Sequence, residues 1–370
     1  MSCEQIILPN LVAHCPYPVR VNPRCRESNS KSEDWILKEA NFTERKRKLF
    51  LGLKAGVLTS LCYPDADDFH LQMSSDYLTF LFTFDDWSDE FDPMESDTIA
   101  DCIMAALRDP HGFETDKTVG KLTKSYFSRY IQTAGPGSIR RFIDTMDLYL
   151  QAVTQQATDR TDQAIPDLET YIGLRRDTSA CRPCFALMEF VAGVDLPDEV
   201  ASHPAILAME EATNDLVSWS NASSHLRNIR TFVLTNLNPQ DIFSFNVEQS
   251  RRDTHNLVAV IMHTHDLDTQ AAVDFAGDLC HKSIERFETE RHTLPSWGPE
   301  VDRAVEAYVQ GLQDWIVGSL HWSFITKRYF GQAGPEVKKH RTVKLLAPAG
   351  SASKQELEDF DDDYILPGGL

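Results

Sequence analysis

The sequence predicts an all-α fold. Three observations carry that prediction. Apolar residues return every three or four positions over most of the chain, no stretch alternates apolar and polar residues as a half-buried strand would, and no βαβ rhythm is present. Turns bearing proline and glycine cut the helical pattern into segments. With 370 residues, 42% of them hydrophobic, the chain has enough apolar surface for a large core.

Residues 1–30 read as an N-terminal strap, because Pro9, Pro16, Pro18 and Pro23 crowd the stretch that follows residue 7. Helical spacing begins near Ser32 with Trp35-Ile36-Leu37 and continues through Phe50-Leu51, Leu53, Val57-Leu58 and Leu61. Further helices are expected at 97–107, 118–133, 137–157, 166–175, 183–192, 205–221, 241–264, 268–290 and 299–329. Asp109-Pro110-His111-Gly112, Gly135-Pro136-Gly137, Leu196-Pro197-Asp198 and Leu294-Pro295 separate them. The main domain therefore spans 31–330. Residues 331–370, rich in Gly, Pro, Ser and acid, read as a disordered acidic tail whose run Asp361-Asp362-Asp363 is solvated.

The net charge is −20, with no basic stripe to offset it, which argues against a nucleic-acid binder. An anionic substrate remains compatible, since metal ions bridge two anions. No apolar run is long enough to span a membrane, and Met1-Ser2-Cys3-Glu4-Gln5 does not resemble a signal peptide. The scattered cysteines fit a reducing cytoplasm. Cys181-Arg182-Pro183-Cys184 is a CxxC with no second CxxC and no nearby His, a poor candidate for zinc or redox work.

The candidate chemistry begins at Asp85-Asp86-Trp87-Ser88-Asp89-Glu90, placed directly after an apolar run holding Tyr77, Phe80, Phe82 and Phe84. On a helix, Asp85 and Asp89 share a face one turn apart. Crowded carboxylates repel unless a cation neutralises them, and hard oxygen ligands suit Mg²⁺ shared with substrate phosphates. An isolated pattern of this kind is also that of a solvated helix end. The aromatic run before it places it beside an apolar interior instead. Downstream, Gln240, Ser244 and Glu248 recur at i, i+4 and i+8, so an amide, a hydroxyl and a carboxylate line one helix face. Asn214-Asp215-Leu216-Val217-Ser218 begins similarly, but its i+8 position is Ala222.

At these motifs the chain resembles the class I terpene synthases of the fungal, basidiomycete-type sesquiterpene family. That family pairs an aspartate-rich motif with NDxxSxxxE on a facing helix, and the resemblance covers about residues 7–330. Ala212-Thr213-Asn214-Asp215-Leu216-Val217-Ser218-Trp219-Ser220-Asn221 matches the first part of the second motif. The match resumes at Asp241-Ile242-Phe243-Ser244-Phe245-Asn246-Val247-Glu248-Gln249. Between them stand the 19 residues 222–240. Nineteen residues correspond to 57 nucleotides, a length that keeps the reading frame, and codons for Ala222-Ser223 and Gln240 could supply the ends of a GC–AG intron. The segment is thus a retained intron or a genuine loop insertion. On either reading the resemblance implies Asn221, Ser244 and Glu248 as the second ligand set, with Gln240 now in the phase before Ser244.

The same resemblance implies further roles. Arg175, in Leu174-Arg175-Arg176-Asp177-Thr178-Ser179, would sense the substrate diphosphate, and Thr178 and Ser179 would be linker and effector at a helix break. Arg328 and Tyr329, in Thr326-Lys327-Arg328-Tyr329-Phe330, would donate to the diphosphate on closure. The implied fold is the class I terpenoid-synthase bundle around one apolar cavity. The implied reaction is ionisation and cyclisation of farnesyl diphosphate with release of diphosphate. Three Mg²⁺ are expected on Asp85, Asp89, Asn221, Ser244 and Glu248. Phe82, Trp87, Trp315 and Trp322 are candidates to line the cavity, each equally compatible with core packing. The protein would act as a monomer or homodimer.

Three other readings compete. A chain-elongating prenyltransferase shares the fold and the first motif but needs a second DDxxD, and the late Asp run sits in the tail. An inactive, mis-spliced synthase or helical binding protein follows if 222–240 displaces Asn221. A class II cyclase would need the string Asp65-Ala66-Asp67-Asp68 in a different fold context.

Overall fold

The computed structural model describes residues 5–40, 42–88, 93–159, 167–220, 241–250 and 256–346. Asp89, Asn221, residues 222–240, the Glu248 side chain and residues from 347 onward lie outside this description.

The chain opens with β1 (Gln5–Ile7) and a single turn α1 (Leu11–His14), then runs through α2 (Cys25–Glu39), α3 (Glu44–Leu53) and α4 (Ala55–Cys62). The long α5 (Asp68–Ser88) is followed by α6 (Pro93–Arg108), α7 (Thr118–Tyr130) and α8 (Pro136–Asp159). Next come α9 (Leu168–Thr178), α10 (Cys181–Ala192), the short α11 (Asp198–Ala201), α12 (Pro204–Ser220), α13 (Asp241–Ser250) and α14 (Leu257–His265). The remaining helices are α15 (Thr269–His292), α16 (Pro299–Trp322), α17 (Lys327–Phe330) and α18 (Gly334–His340), and β2 (Thr342–Lys344) follows. The fold is all-α, as the periodicity predicts.

Local chemistry sets the helix starts. Thr43, Asp167, Asp268 and Thr326 each accept a backbone N–H of their first turn, and Pro299 sits at the start of α16 after Gly298. Buried α5 packs against α2, α4, α7 and α10, while α16 packs against α4, α12 and α10, and α12 lies along α15. Edge-on and tilted rings pack beside α5, with Tyr77 and Phe142 centroids 5.1 Å apart and Tyr130 and Phe190 4.9 Å apart.

Four boundaries differ from the sequence reading. Helix α2 begins at Cys25, inside the expected strap. Its buried face is polar, so hydrophobic spacing is silent there. Ser28 and Ser32 bond the α5 hydroxyls of Ser75 and Thr79 at 2.8 and 2.7 Å. Gly56 of α4 permits the close approach, since a Cβ there would stand 2.5 Å from the Asn29 Cα. The expected helix 241–264 is two helices, because Asn256 takes an extended conformation and its Oδ1 accepts the N–H groups of Val258 and Ala259. The expected helix 299–329 stops at Trp322, and Thr326 caps a separate α17. Finally, residues 331–346 are not tail. They form a turn of 3₁₀ helix at Gly331–Ala333, then α18, and then β2, which pairs antiparallel with β1. A strand of three residues offers too short an alternation to read from sequence.

Candidate active site

Helix α5 carries its apolar face from Leu78 to Phe84 and ends in the acidic cluster. Asp85 is largely shielded, at 18% side-chain exposure, and a cation approaches it from a distant part of the chain. Arg328 of α17, only 6% exposed, places Nη2 3.6 Å from Asp85 Oδ2 and 3.4 Å from Asp86 Oδ1. Its guanidinium carbon stands 5.5 Å from the centroid of the Phe82 ring. The carboxylate repulsion anticipated at the end of α5 is thus relieved by an arginine that bridges both aspartates. Tyr329 beside it is buried, with its ring edge-on to Trp322 at 5.8 Å.

Behind Asp85 lies a cavity of about 640 Å³, counting its open mouth. Phe82, Asp85, Arg175, Thr178, Ser179, Trp315 and Trp322 all contribute to its wall. Trp87 does not: it is half-buried against the core. The spacing that puts Trp315, Ser319 and Trp322 on one face of α16 matches what lines the cavity. Trp322 is oriented by its indole N–H, which reaches the carbonyls of Leu53 and Lys54 at 3.2 and 2.9 Å.

The two adjacent arginines of α9 have different fates. Arg176 is satisfied by a bidentate pair with Asp215, both bonds 2.7 Å, and lies 3.3 Å from Glu211. Arg175 is 2% exposed and makes one long bond, 3.5 Å from Nη2 to the carbonyl of Ser218. Its Nε and Nη1 are buried without a hydrogen-bond partner among the described residues. A buried guanidinium left in that state is costly unless an anion completes it. Thr178 and Ser179 end α9, their hydroxyls bonded back to the carbonyls of Leu174 and Arg176. Ala180 then takes the left-handed conformation at φ 55° and opens α10. That strain, about 1–2 kcal/mol for a residue with a Cβ, marks the helix break beside Arg175.

Sequence reasoning did not place several wall residues. Leu58, Leu78, Leu81, Tyr149 and Val217 look like core positions and are legible only once the helices are assembled. Cys181 and Cys184 also face the cavity, as free thiols. Burial pushes the Cys181 thiol up to about 11 and raises Cys184 well above its ordinary value, so both stay protonated. Among the described residues, no group of three His, Cys, Asp or Glu is clustered for a metal ion. Ser244 is fully buried on α13 and its Oγ receives Asn256 Nδ2 at 3.3 Å. Tyr171, one turn before Arg175, donates to Asp241 Oδ1 at 2.8 Å and ties the start of α13 to α9. Helices α12 and α13 bracket residues 221–240, and α13 starts one residue after the position where Asn238-Pro239 leads a restart to be expected. The Asp65–Asp68 string lies at the surface, with Asp65 on Arg20 at 2.7 Å and Asp68 on Arg24 at 3.1 Å.

A helical fold with an apolar cavity, and with a carboxylate and an unsatisfied arginine in the cavity wall, defines a terpenoid-synthase type of protein. Comparisons with known proteins agree. Residues 76–286 match terpene synthase family 2, C-terminal metal binding. Sesquiterpene synthase 1 of Postia placenta is 50% identical over 342 residues, covering 92% of this chain and 95% of its own. Sesquiterpene synthase Agr1 of Cyclocybe aegerita is 48% identical over 345 residues, with 93% and 94% covered. The alpha-muurolene synthase of Coprinopsis cinerea is 45% identical over 356 residues, with 94% and 79% covered. Among solved structures, the linalool/nerolidol synthase of Streptomyces clavuligerus aligns with a TM-score of 0.70 at 22% identity, covering 84% of this chain and 98% of that one, which speaks to the fold alone. The chain belongs to the class I terpene synthases, in the fungal sesquiterpene synthase family. The chain-elongating reading gives way to that membership. The family description carries a divalent-metal site with it, and no described helix is long and apolar enough to cross a membrane.

Proposed function

We propose that the protein ionises farnesyl diphosphate with the help of Mg²⁺, cyclises the resulting allylic cation and releases diphosphate. One observation carries the reading: Arg175 is buried in the cavity wall with two nitrogens lacking partners among the described residues, in a cavity also walled by Asp85, with Arg328 3.6 Å from that carboxylate. A guanidinium in this state is complementary to a diphosphate, whose oxygens its planar fork holds at fixed geometry. The oxygen donors suit a hard cation. Asp85 and Asp89 on one side, and Asn221, Ser244 and Glu248 on the other, would hold three Mg²⁺. When bound, the metal supplies Lewis-acid stabilisation of the departing diphosphate.

The chain's own residues do the rest. Arg175, Arg328 and Tyr329 would donate to the diphosphate oxygens as negative charge develops on them. Arg328 would exchange the Asp85 and Asp86 carboxylates for diphosphate, freeing those carboxylates. The Thr178–Ser179–Ala180 break ends α9 and sets the Arg175 turn apart from α10. Phe82, Trp315 and Trp322 would face the cation and keep water from it, since water would quench it. The predominantly apolar wall, with Leu58, Leu78, Leu81 and Val217, suits a hydrocarbon chain folded for ring closure.

A second reading rests on the separation of α12 and α13. Asn221 directly follows the last residue of α12, whereas Ser244 lies on α13, with 222–240 between. A helix rises about 1.5 Å per residue, so 19 residues inserted in helical form would move Asn221 by more than about 25 Å. Gln240, in its phase, has a side chain one bond longer than Asn, a poor fit to octahedral Mg²⁺. On this second reading the chain with the insertion is a weak or inactive cyclase, and the function above belongs to the chain without it. Gas chromatography of products from farnesyl diphosphate, with and without residues 222–240, tests both readings. Cyclic products from the shortened chain support the function, and linear alcohols or none from both chains refute it.

A further inference from the structure

The two ends of the described chain meet in a ribbon that the cyclisation chemistry does not explain. Strand β1 pairs antiparallel with β2 in the register Gln5 to Lys344, Ile6 to Val343 and Ile7 to Thr342. The pairing extends past the strands, with the Leu8 N–H donating to the Arg341 carbonyl at 2.7 Å. Ile6 and Val343 form its buried face. A two-stranded ribbon this short is not stable alone, so the helices beneath must hold it.

They do so with side-chain amides that imitate a neighbouring strand. On one edge, Gln270 of α15 accepts the Ile7 N–H at 2.8 Å and donates to the Ile7 carbonyl at 3.0 Å. On the other, Asn246 of α13 accepts the Leu346 N–H at 2.7 Å and donates to the Lys344 carbonyl at 3.2 Å. Gln249 adds a bond to the Leu346 carbonyl at 2.9 Å. Asn246 follows Ser244 by two residues, which is about 200° around a helix. The same helix therefore turns Ser244 towards Asn256 and Asn246 towards the ribbon. Tyr171 and Asn256 secure the start of α13, through Asp241. The amide clamp secures the part that leads to Glu248.

We propose that the ribbon is a positioning element for the metal-binding helix, with Asn246 as its positioning residue: the docked chain ends hold α13 in the rotation and depth that its ligand face requires. This rests on the reading of Ser244 and Glu248 as metal ligands. Groups that orient ligands from behind typically set metal affinity by tenfold or more. The ribbon itself touches neither metal nor substrate.

The test uses the full chain carrying Asn246→Leu and, separately, Gln270→Leu, which frees the opposite edge of the ribbon without altering α13. Hydrogen exchange in the absence of metal reads the clamp. Loss of the free Mn²⁺ resonance signal, in the presence of inorganic diphosphate, reads the metal site. Both variants are expected to speed exchange of residues 241–250, to leave α16 unchanged and to weaken Mn²⁺ uptake by about tenfold, Gln270→Leu by somewhat less. Unchanged exchange of 241–250 in both variants would overturn the clamp. Faster exchange with unchanged Mn²⁺ affinity would overturn the positioning role while leaving the ligand reading intact. If the parent chain and the chain lacking 222–240 both take up no Mn²⁺, the ligand reading fails, and the positioning role fails with it. Should Asn246→Leu not fold, Gln270→Leu decides alone.

Discussion

Replacing Arg175 by methionine should make the protein more stable and less able to bind its ligand. The perturbation removes a guanidinium that is 2% exposed, keeps one bond of 3.5 Å and leaves Nε and Nη1 without partners among the described residues. Each unsatisfied buried donor costs about 1–3 kcal/mol, and methionine refills most of the aliphatic volume. After allowing for imperfect packing, the expected gain is about 2 kcal/mol. Melting temperatures shift less per kcal/mol as chains lengthen, so for this chain the rise is roughly 2–4 °C. Diphosphate with Mg²⁺ reverses the order. A ligand present at about 100 times its dissociation constant adds about 2.7 kcal/mol to a protein that binds it and nothing to one that does not. Thermal melts without ligand, and again with Mg²⁺ and inorganic diphosphate, should therefore cross. The measurement is made with and without residues 222–240, so that the insertion does not obscure it. If Arg175→Met melts lower than the parent in the absence of ligand, or gains as much from Mg²⁺–diphosphate as the parent does, the cavity arginine is a structural residue and the reasoning is wrong.

Other outcomes follow from the same geometry. Asp85→Ala should abolish Mg²⁺-dependent release of diphosphate, monitored with a coupled phosphate assay, while circular dichroism stays unchanged; normal turnover would remove Asp85 from the mechanism. Deleting 222–240, which rejoins Asn221 to Asp241, should restore cyclase activity to a chain that has little of its own. Full activity before the deletion, or none after it, would show the insertion to be something else. Trp322→Phe should cost about 1–2 kcal/mol in urea unfolding, because the carbonyls of Leu53 and Lys54 lose their buried donor. His321 provides a pH signature. Burial, reinforced by Lys338 at 3.1 Å, lowers its pKa from 6.5 to about 4. The unfolded chain then binds the proton more readily than the folded one between these values, so stability contributed by the neutral ring is present above pH 6.5 and is lost as pH falls towards 4. His321→Gln should flatten that part of the stability profile, and an unchanged profile would assign the acid sensitivity elsewhere.

The fold class was legible because apolar periodicity and turn chemistry are local properties, and a helix closes its hydrogen bonds within itself. The same locality explains where the reading failed. The start of α2 buries serine hydroxyls against Ser75 and Thr79, a polar interface invisible to hydrophobic spacing. The segment 331–346 has tail-like composition, yet it folds because β1 and Asn246 supply its partners from more than 90 residues away in the chain.

The candidate site divides along the same line. By itself the sequence determined which residue types were present and in what local spacing: the acidic cluster on an apolar helix, the serine and glutamate one turn apart, and the paired arginines before a break. Only the tertiary structure decided that Arg328 crosses to Asp85 and Asp86, and that of two adjacent arginines Arg176 is spent on Asp215 while Arg175 faces the cavity. It also decided that Trp315 and Trp322 line the cavity while Trp87 packs against the core. The physical reason is that a helix's sequence sets which residues share a face, whereas the partner of that face, and hence whether a charge is paired or left for a ligand, depends on how the helices pack.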